Sequence, residues 1–187
     1  TIELTRQNQR LQLLNEKLKR NCKDFISTLY SLNELRNVAI RKHSDHVTKL
    51  CKSMGEKIGL SEKEQEELIV AAELHDIGKI GISDFILCKD IDSLNTEEIK
   101  EYRKHPILGQ TVVNFVEDLR DVGLLIRHHH ESYDGTGFPD SLAKEDIPLG
   151  SRIICIVDRF ERLSTKGREI DAAEKALLTI KNSLRRE

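Results

Sequence analysis

Leu4, Leu11, Leu18, Phe25 and Leu32 fall at every seventh position of an opening stretch, residues 1–35, that contains no glycine or proline. The companion seam is mixed. It reads Asn8, Asn15, Cys22 and Leu29 in one register, or Leu14, Asn21, Thr28 and Leu35 in the other. A seven-residue apolar repeat with polar seam positions predicts a long helix in a parallel two-stranded coiled coil, hence a homodimer, with the polar residues setting register at some cost in stability. The simpler alternative is an amphipathic helix lying on its own domain. From residue 36 onward the pattern predicts successive helices. The first covers 36–59 and ends at Gly59. Ser61 is an N-cap with Glu64 completing a capping box, and the apolar Leu68, Ile69, Ala71 and Ala72 carry that helix to about Asp76, where Gly78 and Gly81 open the chain. Thr96 with Glu97 and Glu98 starts another helix, and Pro106 restarts the trace after His105. Residues 119–130 read as helical. The glycine- and proline-bearing stretch Glu131 to Pro148 reads as a long loop, which in a compact domain usually carries function. Ser151 is expected to cap an apolar helix from Ile153 to Leu163, and Asp171 with Glu174 to start a last one. No segment alternates with period two, so the prediction is an all-α helical bundle, 36–187, behind a helical linker, 1–35.

Composition narrows this picture. A chain of 187 residues buries a real core, and with 4% aromatics and no Trp that core must be Leu, Ile, Val and Ala, which suits helix packing. A net charge of −2 leaves no basic excess for a long phosphate backbone, so nucleic acid is not an expected partner, whereas a small nucleotide needs only a few local charges. Cys22, Cys51, Cys88 and Cys155 are scattered without a Cys-x-x-Cys pair and read as reduced, mostly buried thiols of a cytoplasmic protein. No run approaches a membrane span and no signal peptide is visible. The chain opens at Thr1 without a methionine, which suggests a piece of something longer.

The chemistry concentrates in histidines and aspartates. His75-Asp76 closes a strongly apolar helix, and Asp158 follows Ile153-Ile154-Cys155-Ile156-Val157. Such groups are costly to desolvate unless something binds them. A carboxylate has two oxygens and can bridge two ions. Imidazole and carboxylate ligands suit first-row metals such as iron, manganese, zinc, nickel or cobalt better than magnesium or calcium, and the absence of cysteine from the set argues against a structural zinc knot.

These residues together resemble the HD-GYP domains, a subset of the HD phosphohydrolase superfamily. The matching elements are His43-Ser44 with Val47, then Ala72-Glu73-Leu74-His75-Asp76-Ile77-Gly78-Lys79-Ile80-Gly81, and then His105-Pro106 with Gly109. His129-His130-Glu131 follows, with Asp134-Gly135-Thr136-Gly137-Phe138-Pro139, Ile147-Pro148-Leu149, Arg152-Ile153-Ile154 and Val157-Asp158. The resemblance implies His43, His75, Asp76 and Asp158 on one ion and Asp76, His105, His129 and His130 on a second, with Asp76 bridging. It implies hydrolysis of the bacterial second messenger cyclic di-GMP, to the linear dinucleotide or GMP, by a hydroxide shared between two transition-metal ions, iron or manganese first. The linker is expected to follow a receiver or other sensory domain, and GGDEF or other signalling proteins are expected partners. Lys79 is assigned to the phosphate or the leaving oxygen. Glu131 and Asp134 are expected to organise the loop by hydrogen bonds, His46 to support or face solvent, and His128 to be exposed.

Four departures stand out. Phe138 replaces the usual tyrosine of GYP, keeping the ring and losing the hydroxyl. Ala39 stands where three-metal relatives carry a glutamate. After Asp158 the chain reads Glu161-Arg162-Leu163-Ser164-Thr165-Lys166-Gly167-Arg168, without the usual phosphate-holding arginine, leaving Lys166 or Arg168 as substitutes. The chain also stops before the family's usual C-terminal helices. Two rival readings follow, namely a catalytically silent cyclic-dinucleotide receptor or interaction module, and a hydrolase of another cyclic dinucleotide.

Overall fold

A computed structural model describes residues 2–36 and 38–166, and these form helices, turns and loops with no strand among them. The α-helices are α1 (Ile2–Arg36), α2 (Val38–Ile58), α3 (Glu62–Leu74), α4 (Asp84–Leu87), α5 (Thr96–Tyr102), α6 (His105–Val113), α7 (Arg120–Arg127) and α8 (Leu149–Lys166). A 3-10 turn over Ile77–Gly81 joins α3 to α4. The fold is the all-α arrangement expected from the apolar periodicity, and no described helix is long and apolar enough to cross a membrane.

Capping sets where the helices begin. Ser61 accepts from the Glu64 backbone while the Glu64 carboxylate accepts from the Ser61 N–H, and Asn95 with Glu98 repeats the device ahead of α5. Each helix then buries one stripe. In α3 it is Leu68, Ala71, Ala72 and His75; in α6 His105, Pro106, Gly109 and Val113; in α8 Ile153, Ile154, Val157, Asp158 and Glu161. The spacing of three and four residues places these groups on one face, so a polar group in the stripe is carried inward with the apolar ones. Helix α2 packs on α3 and α8, α3 on α7, and α6 on α7 and the 3-10 turn. Their common core is built on Val47, Cys51, Leu68, Leu74, Ile126 and Ile154. A smaller cluster, Ile82, Ile86, Leu94 and Tyr102, seats α4 and α5.

Helix α1 changes character along its length. Leu4, Leu11, Leu14 and Leu18 are more than half exposed, while Leu29 is buried in the main core with Phe25, Ile26 and Tyr30 packed against it. The Tyr30 hydroxyl donates to Asp45 at 2.6 Å. Contact with the bundle therefore begins near Phe25, ten residues before the expected end of the linker.

Two boundaries differ from expectation. Ser151 does not cap α8. The helix starts at Leu149, directly after Pro148, and the buried Ser151 hydroxyl donates instead to the Leu125 carbonyl at 3.0 Å, tying α8 to α7. Helix α7 ends at Arg127 rather than at His130. Successive helical residues diverge by about 100°, so a helix would swing His129 and His130 apart, and the turn lets both rings face one way. The expected helix from Asp171 lies outside the described residues.

Backbone proximity is tightest where the 3-10 turn meets α6. A Cβ on Gly78 would stand 1.9 Å from the His105 carbonyl oxygen and 2.5 Å from the Gly109 nitrogen. Both neighbours are backbone, so neither can rotate away. Gly78→Ala is expected to destabilise the domain by about 3 kcal/mol, the upper range for overpacking. Urea midpoints in metal-free buffer check this, and an unchanged midpoint would show that the two segments slide apart freely.

Candidate metal centre

Seven side chains from five segments converge in two groups. Asp76, His105, His129 and His130 each offer a ligand atom within 4.8 Å of one another, and His43, His75 and Asp158 form a second such group. His43 comes from α2, His75 and Asp76 from the end of α3, His105 from the start of α6, His129 and His130 from the turn after α7, and Asp158 from α8. Asp76 stands between the groups. Its Oδ2 lies 3.4 Å from His75 Nε2 and its Oδ1 3.4 Å from His105 Nε2. Asp158 Oδ1 lies 2.8 Å from His43 Nε2 and 3.8 Å from His75 Nε2.

The histidines are aimed by their own backbone. Nδ1 of His75, His105 and His129 lies 2.8, 2.8 and 2.6 Å from the carbonyl three residues earlier, on Ala72, Tyr102 and Ile126. A carbonyl only accepts, so each Nδ1 carries the proton and each Nε2 turns a lone pair inward. His43 is held differently, its Nδ1 lying 2.6 Å from Glu161 Oε2.

Buried Nε2 atoms of His75, His105, His129 and His130, with Oδ1 of Asp76, have no hydrogen-bond partner. Leaving one such atom buried costs about 1–3 kcal/mol, and here five of them face a common centre. Cations resolve that cost, and the donor set is the nitrogen-and-oxygen mixture that suits first-row transition ions. Protonation states agree at the His105, His129 and His130 group, whereas at His43 burial is outweighed by the Asp158 carboxylate beside it, which raises the pKa. Burial holds His105 and His130 well below the ordinary histidine range and lowers His129 to about 4, so these rings are neutral. Burial alone would raise Asp76 and Asp158, but Lys79 beside the first and Arg162 beside the second outweigh it and hold both carboxyls well below their usual range. Neutral imidazole and ionised carboxylate are the states that bind metal.

The loop after the histidines closes the site. Buried Glu131 accepts from the Asp140 backbone at 2.7 Å, and Asp134 accepts from the Thr136 N–H and hydroxyl at 3.0 and 2.6 Å, so each takes hydrogen bonds from within the loop. Gly137 passes so near the Glu131–Ser132 backbone that a Cβ there would stand 2.2 Å from Ser132 N. Phe138 lies 4.8 Å from the His130 ring, with the Arg103 guanidinium 5.1 Å over its face. Pro139 follows it, and Gly135 turns the loop at a φ of +78°.

Some placements could not be read from the sequence. His128, expected at the surface, is 8% exposed because Asp140 folds over it, 2.9 Å from its Nε2, while also taking two bonds from Arg127. Glu161, three residues after Asp158 on the same stripe, bridges His43 and His46, the latter at 3.2 Å. An acidic residue in phase with an apolar stripe was the available signal. Arg168, and the side chains of Lys166 and Ala39, lie outside the described residues. Cys51 is buried, its thiol pushed up to about 12, and Cys155 is half-buried at about 11, so neither is a thiolate ligand; Cys88 is exposed.

Comparison with known proteins agrees with this geometry. The family described as "HD domain" matches residues 27–185. The cyclic di-GMP phosphodiesterase response regulator RpfG of Xanthomonas campestris is 34% identical over 83% of this chain and 41% of its own length. The 3'3'-cGAMP-specific phosphodiesterase 2 of Vibrio cholerae is 31% identical over 80% of this chain and 29% of its own length. The chain thus spans less than half the length of these curated relatives. Among solved structures, an HDG"Y"P protein from Bdellovibrio bacteriovorus aligns with a TM-score of 0.61 and 26% identity over 73% of this chain and 45% of that one.

Removing Asp76, which faces both groups, is expected to leave less than one ion per chain, whereas His105→Ala leaves about one. Metal analysis after anaerobic purification checks this. Equal losses in the two variants would count against a shared carboxylate.

Proposed function

We propose that this chain, which belongs to the HD domain family, is a metal-dependent phosphodiesterase that opens a cyclic dinucleotide, cyclic di-GMP first. The carrying observation is the shared Asp76 carboxylate, with one oxygen towards His75 and the other towards His105. His43, His75, Asp76 and Asp158 would hold one ion and Asp76, His105, His129 and His130 the other, with iron or manganese favoured and zinc, nickel or cobalt chemically acceptable. Bound there, such ions supply Lewis acidity towards a phosphoryl oxygen and lower the pKa of water. The protein's own groups position the reaction. Lys79 Nζ donates to Asp76 Oδ2 at 2.5 Å, so its ammonium stands at the edge of the shared carboxylate, where it would stabilise charge on the departing ribose oxygen. The Phe138 ring beside His130 offers a hydroxyl-free face at the rim.

A second substrate, 3'3'-cGAMP, is favoured by the relatives named for it, which match as well as several named for cyclic di-GMP. Anaerobically purified protein incubated with each dinucleotide separates the readings. Linear dinucleotide or GMP should accumulate from the preferred substrate, and Lys79→Ala should keep its metal while losing about 100-fold in kcat. Metal-loaded protein that leaves both substrates intact would favour a silent receptor.

Residues 1–35 are read as a linker that pairs with a second copy and carries a signal from a sensory or receiver domain, with GGDEF proteins among the expected partners and the cytoplasm as the setting. The support is the exposed run Leu4, Leu11 and Leu18 at seven-residue spacing. Light scattering should give a dimer at tens of micromolar and a monomer for the double variant Leu11→Lys, Leu18→Lys. A monomeric wild type would remove the coiled-coil reading.

A further inference from the structure

Arg103 ends α5, its backbone N–H donating to the carbonyls of Ile99 and Glu101. In the chain it falls between Tyr102 and His105, two buried rings whose centroids are 5.0 Å apart. Neighbouring lysines are paired with acids. Lys100 meets Glu97 at 2.8 Å, Lys104 meets Glu101 at 2.6 Å, and Lys89 meets Glu98. The Arg103 side chain is exposed and makes no hydrogen bond or ion pair among the described residues. Its guanidinium lies instead over the Phe138 ring, 5.1 Å from the centroid, and that ring lies 4.8 Å from the His130 ring. The end of α5 and the loop after α7 thus meet at the rim of the group that contains His105 and His130.

A ring face attracts a cation through its quadrupole and does not take up the N–H donors of a guanidinium. Phe138 has no hydroxyl to offer them an acceptor. Arg103 is therefore located by one contact while its planar fork stays open to solvent, and such a fork fits two neighbouring acceptors. A cyclic dinucleotide carries acceptor pairs on its phosphates and on guanine. Guanine presents O6 and N7 side by side, whereas adenine sets an amino donor where guanine has O6. The buried metal ligands suit the phosphate. An aromatic ring and a guanidinium at the rim suit a base, which stacks on such surfaces. We propose that Arg103 reads the O6–N7 edge of guanine and so sets a preference for guanine-bearing cyclic dinucleotides over those of adenine alone. Both dinucleotides considered above carry guanine. The proposal rests on the phosphodiesterase reading for where the phosphate goes, while recognition of the base is independent of turnover.

The test titrates the metal-loaded whole chain with GMP, IMP and AMP by calorimetry, with metal content measured alongside. The three probes share ribose and phosphate, and IMP keeps O6 and N7 while lacking the amino group of guanine. GMP and IMP should bind about tenfold more tightly than AMP. Arg103→Ala should erase that ratio at unchanged metal content. Arg103→Gln should shift it towards AMP, because a glutamine amide matches the adenine edge. Equal affinity of the wild type for GMP and AMP, IMP behaving like AMP, or no binding of any probe would overturn the proposal. So would an Arg103→Ala variant that weakens all three probes alike, which would make the residue a phosphate grip, or one that loses metal. The same proteins are then given cyclic di-GMP and 3'3'-cGAMP. An Arg103-dependent guanine preference without turnover of either would sink the enzymatic reading and leave base recognition standing. Turnover without that preference would do the reverse.

Discussion

A carboxylate buried at the end of an apolar helix is the constraint around which this domain is arranged. Asp76 is 2% exposed, and in an apolar medium its charge would be prohibitive alone. The fold answers by surrounding it with groups that favour the ionised form, Lys79 on one oxygen and the histidines of α3 and α6 on either side. Helices α2, α6 and α8 and the turn after α7 each deliver a polar side chain to this one place. The close backbone contact of Gly78 with α6 holds His105 near Asp76, so packing and chemistry share the same contact.

Ligand orientation comes from local structure. Three imidazoles bond a carbonyl three residues back, an interaction available wherever a histidine ends or opens a helical turn, and it needs no distant partner. His43 is held in another way. It sits inside α2, where the carbonyls are already used by the helix, and it relies on Glu161 from α8. Its orientation therefore depends on the packing of α2 against α8, which makes this half of the centre more sensitive to tertiary structure than the other.

Charge balance sets the character of the site mouth. Two ionised carboxylates and two cations one turn away, beside three histidines that burial keeps neutral, give a centre that is compensated internally. Adding positive ions to such a set leaves an excess of positive charge, which a phosphate diester can neutralise. A chain with a net charge of −2 can in this way present a local anion site without a basic surface.

The sequence by itself determined the helical class, the capped start of α3, the start of α5, and His75, Asp76 and Asp158 as buried groups in need of a partner, while His43, His105, His129 and His130 joined them only through the resemblance to HD-GYP domains. Hydrophobic period and capping chemistry are local properties, and histidines or aspartates in phase with an apolar stripe have few inexpensive fates. Tertiary structure alone decided which side chains support them. His128 is buried because Asp140, twelve residues on, folds back over it. The Ser151 hydroxyl, inside α8, finds a carbonyl of α7, and Glu161 acquires its place only when α8 packs beside α2. These contacts join residues far apart in the chain, and no spacing rule encodes the angle at which two helices meet.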